Sequence, residues 1–412
     1  MRKRVIAFVL LLAFMISMMP VNIFAASESE SNDTRDAATN IVTNEKVSGN
    51  LASSRDVDWY KFTLASNGVI KPVFNHSDLS SSRNYWEIGI YDANGDLVVP
   101  SGTWIVSGNG TSATLPEIGL PAGTYYVKIA DSNYHSNTTY SFNLNYTSSS
   151  LYEKEKNEER AKATAITPDK TYKGSIATSS DVDWYKFTLK NSQKVSMVFS
   201  HGIIESASSY WYISLYDGSG NKLLNTSVAG NDTKKVCFVT DLSAGTYYVE
   251  VSDYSYHSDK TYQLTVNGNI GWSKDSKGWK YKNTDGSREI NKWSLIDSKW
   301  YHFDSAGYMQ TGWIKDGGSW YYLKSSGEMA TGWLKDGSTW YYLKGSGAMA
   351  ANEYVGGYWL NANGSWTYQH KATWRKSGNR WWYGDPTGWY AKNGTYKIDG
   401  VNYSFDAAGW MK

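Results

Sequence analysis

The chain repeats itself with two different periods, and any fold must satisfy both. Asp56-Val-Asp-Trp-Tyr-Lys-Phe-Thr-Leu64 recurs without change at Asp181–Leu189, a shift of 125 residues. At the same shift Glu28 falls on Glu153, Gly49 on Gly174, His76 on His201 and Trp86 on Trp211. Ala122-Gly-Thr-Tyr-Tyr-Val127 returns at Ala244–Val249, a shift of 122, so three residues were lost from a loop between Asp217 and Ala244. Further on, Trp293, Trp313 and Trp333 stand 20 residues apart, as do Trp300, Trp320 and Trp340. A unit of about 120 residues buries a core of its own, whereas one of about 20 must stack on its neighbours.

Within each long unit, short alternating stretches rich in Tyr, Val, Ile and Phe, such as Trp59–Leu64 and Tyr125–Ile129, read as strands. Asp92-Ala-Asn-Gly95 and Asp217-Gly-Ser-Gly220 read as the turns between them. The pattern predicts two tandem β-sandwiches. After Gly271, where 15 of the 20 Trp lie, each 20-residue phrase predicts one β-hairpin and the phrases together a β-hairpin solenoid. Weaker copies stand at Trp272/Trp279, Tyr354/Trp359, Trp374/Trp381 and Tyr396/Tyr403. The chain is therefore expected to be all-β.

Met-Arg-Lys-Arg, an apolar run over Val5–Ile16, Pro20 and the small-residue end Phe24-Ala25-Ala26 have the layout of a secretory signal peptide, cut after Ala25 or Ala26. Losing Arg2, Lys3 and Arg4 leaves 38 basic against 39 acidic residues, which excludes the one-signed field of a nucleic-acid binder. No later stretch is apolar enough for a membrane span, so no transmembrane segment is expected after signal cleavage. The expected organisation is a signal peptide over 1–26, a sandwich over 27–147, a flexible Ser-rich linker over 148–151, a second sandwich over 152–268 and the repeat array over 269–412. The single cysteine, Cys237, excludes an intramolecular disulfide and is read as a buried apolar residue. The corresponding pairs His76/His201 and His135/His257 serve the duplicated fold, and no nucleophile–base or zinc-protease motif is present. The expectation is of a protein without catalytic residues.

Two clusters of acids carry possible metal chemistry. Glu28, Glu30 and Asn32 alternate in an extended segment and so share one side, as do Asp56 and Asp58. Together they offer the hard oxygens that calcium takes, six to eight at a time; alternatively they are a solvated acidic linker. The ordered motifs Glu-x-Glu-x-Asn-Asp, Gly49, Asp-Val-Asp-Trp-Tyr-x-Phe and Leu-Pro-Ala-Gly-Thr-Tyr-Tyr-Val resemble the bacterial pre-peptidase C-terminal (PPC) domain, whose relatives include collagen-binding domains of secreted collagenases. The resemblance implies jelly-roll-like sandwiches with calcium at the N-terminal linker and an extracellular matrix protein such as collagen as a partner. It implies as ligands Glu28, Glu30, Asn32, Asp33, Asp56 and Asp58, and in the second copy Glu153, Glu155, Asn157, Glu158, Asp181 and Asp183.

Regularly spaced aromatics on stacked hairpins either fill the solenoid core or wall clefts that attract a quaternary ammonium or stack on sugars. Thr311-Gly-Trp-Ile-Lys-Asp-Gly-Gly-Ser-Trp-Tyr-Tyr-Leu323 and Ala330–Leu343 resemble choline-binding, or cell-wall-binding, repeats. That resemblance implies cages of Trp293, Trp300, Met309 and Tyr321, and of Trp313, Trp320, Met329 and Tyr341, with Trp333 and Trp340 opening a third. Its implied partner is cell-wall teichoic acid choline or polysaccharide. The leading expectation is a secreted, non-enzymatic surface protein; the alternatives are a cell-wall hydrolase or its targeting subunit, and a glucan-binding protein.

Overall fold

The computed structural model describes residues 26–366 and 370–412. The signal-peptide reading of 1–26 falls almost wholly outside the described residues. Every described element is a strand or a single 3-10 turn, so the all-β expectation holds, and no described helix is long and apolar enough to cross a membrane. The chain divides into two compact units, 1–267 and 268–412.

In the first unit the shared strand motif sets the architecture. Along both Val57–Leu64 and Val182–Leu189 alternate side chains turn inward, so Tyr60, Phe62 and Leu64, like Tyr185, Phe187 and Leu189, are buried. Val57–Leu64 pairs with Gly123–Asp131, which pairs with Asn84–Asp92 and onward to Thr103–Ser107. The facing sheet contains Val47–Gly49, Tyr140–Ser148 and Gly68–Asn75. Val182–Leu189, Gly245–Asp253 and Ser209–Tyr216 repeat the first arrangement, and Thr171–Gly174, Tyr262–Asn267 and Gln193–His201 the second. Each pair of sheets closes over its own buried cluster, centred on Phe74 and Trp86 in one and Phe199 and Trp211 in the other. His76 packs 4.4 Å from Trp86 and His201 4.1 Å from Trp211, so these histidines serve the core. Cys237, expected to be buried, is only half-buried at the edge of that core, with burial still raising its thiol to about 12.

The Ser-rich junction is pinned rather than slack. Ser148 ends a strand, the Ser149 amide donates to the Asn67 carbonyl (3.0 Å), and Tyr152 is buried. Burying that aromatic ring outweighs the freedom expected of a serine run. Beyond it the Glu155 amide donates to the Gly119 carbonyl of the first sandwich (2.9 Å), the Thr178 hydroxyl to the Pro100 carbonyl (2.7 Å), and Lys156 pairs with Asp92 at 2.7 Å. A Cβ on Gly119 would sit 2.2 Å from the Glu153 carbonyl, so only glycine admits the linker there.

The second unit is a series of hairpins, among them Lys292–Ile296/Lys299–Phe303, Gly312–Asp316/Ser319–Leu323 and Gly332–Asp336/Thr339–Leu343. In the second of these Gly317 and Gly318 both take positive φ (53° and 83°), the geometry of a two-residue turn that matches strand twist. Leu323, Leu343 and Leu360 are fully buried and form the spine. The end of the series departs from simple stacking. Glu353–Val355 joins the hairpin Gly394–Ile398/Val401–Phe405 in one four-stranded sheet through Tyr354 and Ile398, while Thr373–Ser377/Arg380–Gly384 forms its own hairpin. Tyr354, Tyr383, Ile398 and Phe405 bury a shared cluster there.

Candidate functional site: aromatic cages and buried acids

The hairpin register sets the cages. Trp313 opposes Tyr322 and Trp320 opposes Lys315, which leaves the two indoles 6.4 Å apart and nearly perpendicular, at 84°. Tyr341 of the next hairpin closes the side at 4.7 Å from Trp313, and Met349 completes a cleft of about 280 Å³. Trp293, Trp300, Tyr321 and Met329 line the preceding cleft of about 200 Å³, with Tyr321 4.9 Å from Trp293. The Trp293 indole N–H donates to Asp316 (3.0 Å) and that of Trp313 to Asp336 (2.9 Å), so the following turn orients the inner ring of each cage. Trp300, Trp320 and Trp340 remain 44%, 42% and 36% exposed, too open for rings whose task is only to fill a core.

The structure corrects the methionine assignment by one repeat. Met309, expected beside Trp293 and Trp300, donates its amide to the Trp279 carbonyl (2.8 Å) and packs with Trp272, Tyr281 and Tyr301. Met329, expected beside Trp313, likewise donates to Trp300 (2.8 Å), and Met349 to Trp320 (2.7 Å). After each hairpin the chain turns back, so its methionine covers the hairpin before it. Trp333 and Trp340 lie 6.5 Å apart, and their third wall is Tyr358, 5.5 Å from Trp333. Trp366, whose amide reaches the Trp340 carbonyl, takes the methionine's place.

A cage that sequence reasoning missed lies further on. Trp374 and Trp381 are 6.5 Å apart at 85°, Tyr403 stands 4.7 Å from Trp374, and Met411 donates to the Trp381 carbonyl at 2.8 Å. The signal was the seven-residue Trp–Trp spacing, identical to that of Trp313 and Trp320. Its Tyr follows after a longer intervening stretch, which hid the match.

The acids gather where the linker strand meets the inward face of the Asp-x-Asp strand. One carboxylate oxygen from each of Glu28, Glu30 and Asp58 lies within 4.8 Å of the others; so do those of Glu153, Glu155 and Asp183, and those of Glu155, Glu158 and Asp181. Asn32 and Asn157 are fully buried beside them, with the Asn32 oxygen and the Asn157 oxygen lacking any hydrogen bond. Both Glu155 oxygens and one each of Asp58 and Asp181 are also buried without a partner. Asp33 and Asp56 stand beside the first cluster but hold backbone amides, those of Val57 (3.3 Å) and Ala52 (2.5 Å).

Four tyrosines that sequence reasoning overlooked anchor the clusters. The Tyr60 and Tyr140 hydroxyls meet at 2.7 Å and reach Glu28 and Asp58, while those of Tyr185 and Tyr262 meet at 2.6 Å and reach Glu153 and Asp183. Gly49 and Gly174 leave the space they need, since a Cβ would fall 2.2 Å from Glu28 in one and 2.5 Å from Tyr185 in the other. Burial, reinforced by Glu28 and Asp56 and opposed by the Tyr140 hydrogen bond, pushes Asp58 up to about 8. Burial and mutual repulsion carry Glu153, Glu155 and Asp181 well above the usual carboxylate range. Orphaned hard oxygens with no cationic side chain among them fit a divalent cation better than they fit one another.

The choline-binding repeat model matches residues 290–331 and 311–354, spanning the first two cages and the two indoles of the third. This part of the chain is an array of choline-binding repeats. The bacterial pre-peptidase C-terminal domain model matches 181–253, within the second sandwich. Among solved structures, the choline-binding domain of Spr1274 from Streptococcus pneumoniae is 42% identical over 18% of this chain and 93% of its own length, with a TM-score of 0.18. The endolysin from phage Cp-1 complexed with choline is 34% identical over 34% of this chain and 44% of its own, with a TM-score of 0.21. Choline-binding protein F from Streptococcus pneumoniae is 28% identical over 50% of this chain and 71% of its own, with a TM-score of 0.26. Both modules matched, the choline-binding repeats and the PPC domain, are binding domains typical of bacterial cell-surface proteins.

Proposed function

We propose that this is a secreted, non-enzymatic surface protein whose choline-binding repeats hold it to teichoic-acid choline in the cell wall, with the sandwiches as spacer or adhesion modules. The observation that carries the reading is the recurring open box of two indoles, a tyrosine and a methionine, seen at Trp293, Trp300, Tyr321 and Met329 and again at Trp313, Trp320, Tyr341 and Met349. Aromatic faces present their negative quadrupole inward, and a quaternary ammonium carries its charge behind methyl groups that such a box desolvates cheaply.

Calcium is the cation we assign to the sandwich clusters. Glu28, Glu30, Asn32 and Asp58 would hold one ion, and Glu153, Glu155, Asn157, Glu158, Asp181 and Asp183 would supply the second copy. Bound there, the ion supplies charge neutralisation rather than chemistry, tying the linker strand to the sandwich.

The full chain should stay on a tertiary-amine resin at high salt, which suppresses ordinary ion exchange, and leave it on adding free choline. Trp313→Ala with Trp320→Ala should shorten that retention. Elution by soluble glucan but not by choline would replace the reading with a glucan-binding one. Release of fragments from purified walls by the protein alone would replace it with a hydrolase.

A further inference from the structure

Among the hairpins, Glu353–Val355/Tyr358–Leu360 has three cross-strand pairs where its neighbours have five, and it turns at Gly356-Gly357. The rung that carries the outer indole elsewhere is missing, so the perpendicular pair of indoles does not recur at this step; Tyr354 and Trp359 instead line a cleft of about 290 Å³ with Trp389 and Tyr396. The next hairpin nevertheless supplies the rings that would have closed a cage. Trp382 opposes Arg375 as Tyr321 opposes Ile314, and Tyr390 bridges to Gly384 as Met329 does to Leu323. These two rings, 6.3 Å apart and perpendicular at 89°, join Trp410 and Ala408 to line a separate cleft of about 230 Å³.

Its charge differs from that of the cages. The Arg375 guanidinium lies 5.1 Å from the Trp382 ring, Arg380 5.8 Å from Trp410, and the Lys392 ammonium 5.0 Å from Tyr390. All three cations are exposed and none has a carboxylate within ion-pair distance among the described residues. The acids nearest in sequence belong to turns: Asp385 accepts from the Thr387 and Trp389 amides (2.7 and 3.3 Å), and Asp406 from the Ala408 and Trp410 amides (2.9 and 2.8 Å). At the cages no arginine is involved: Lys315 lies 6.0 Å from Trp320, Lys335 5.9 Å from Trp340 and Lys371 5.7 Å from Tyr358, and the inner indoles Trp313 and Trp333 face no cation among the described residues.

We propose that the Trp382–Tyr390–Trp410 cleft is a second ligand site, chemically distinct from the cages, that takes an anionic glycan: a sugar ring bearing phosphate or carboxylate. Each ring already faces a cation, so a further ammonium is repelled there. The C–H face of a pyranose stacks on the indoles, and its anionic substituent meets the guanidinium forks of Arg375 and Arg380, which suit two-oxygen anions. The lining offers few groups to read the hydroxyls of a neutral sugar, so charge sets the preference.

The test is fluorine NMR on the full chain labelled with fluorotryptophan, the resonances of Trp382 and Trp410 being assigned through Trp382→Phe and Trp410→Phe. The probes are oligogalacturonate, glucose phosphate, neutral maltotetraose and choline. Oligogalacturonate, glucose phosphate or both should move the two resonances, and which of them does so distinguishes a carboxylate-bearing from a phosphate-bearing source. Arg375→Gln with Arg380→Gln should weaken that binding about tenfold, while unchanged resonances elsewhere report an intact fold. Choline moving these resonances, maltotetraose moving them equally in both proteins, or none of the probes moving them would each overturn the proposal. The site stands independently of choline recognition at the cages.

Discussion

The two sandwiches carry the same acids on the same strands, yet one cluster is open and the other sealed. In the first, Glu30 is exposed and Glu28 half-exposed. In the second, Glu153, Glu155, Asp181 and Asp183 are all buried. The difference comes from what precedes each linker. The second linker leaves the first sandwich and runs across it, its Glu155 amide on the Gly119 carbonyl, and Ala177 joins the first sandwich's core cluster. Duplication copied the ligands; adjacency changed their dielectric.

That contrast makes metal removal the largest effect to expect. A bound ion at about 100 times its dissociation constant contributes about 2.7 kcal/mol, so chelation should lower the melting temperature by about 10 °C. Calorimetry should find Asp183→Asn removing more of the calcium-dependent shift than Asp58→Asn. Equal losses would show that burial does not set the difference.

Gly119→Val should come next, costing about 2 kcal/mol by forcing the two sandwiches apart. The second copy has the exposed Asp241 where the first has Gly119, so Asp241→Val there should change stability by less than about 0.5 kcal/mol. Urea melts of the two variants test this.

The methionine correction gives a smaller effect with a clear sign. Met329→Ala should weaken choline binding at the Trp293–Trp300 cage by about threefold through lost contact area, and Met309→Ala should leave that cage unchanged. Titration followed by fluorotryptophan resonances separates the two.

The smallest expected effect is at Glu117, whose carboxylate accepts from Thr261 (2.9 Å) and Tyr152 (3.1 Å) across the junction. Burial would raise its pKa, but those hydrogen bonds and Lys71 more than reverse it and leave it below its ordinary value of 4.5. Its contribution is therefore present above about pH 4.5 and lost as the pH falls through the lowered value. Glu117→Gln should cost about 0.5 kcal/mol at neutral pH and remove that acid dependence. Melting temperature against pH checks it.

The sandwiches were legible because Asp56–Leu64 and its copy state their burial by alternation, and a two-residue period has one solution on a half-buried sheet. The carboxylate ligands were legible for the same reason. Their tyrosine anchors were not: Tyr140 and Tyr262 come from the facing sheet, far from Asp58 and Asp183 in sequence, and nothing local links them. The array failed differently. When every phrase is alike, sequence cannot say whether a methionine serves its own hairpin or the one before, because the two choices differ only by one period. Trp382 and Trp410 escaped notice because the regular repeats hold Tyr at the first position and Tyr308, Glu328 or Ala348 at the second.

The pinning of Trp293 by Asp316 and of Trp313 by Asp336 gives the array a direction. These two boxes each borrow their orienting acid, their tyrosine and their methionine from downstream and no wall from upstream. Damage to one hairpin therefore disables its own box and the one before it, and leaves the next one intact. Loss along such a chain spreads backward by a single step and then stops, so partial occupancy of the wall survives injury at any one point.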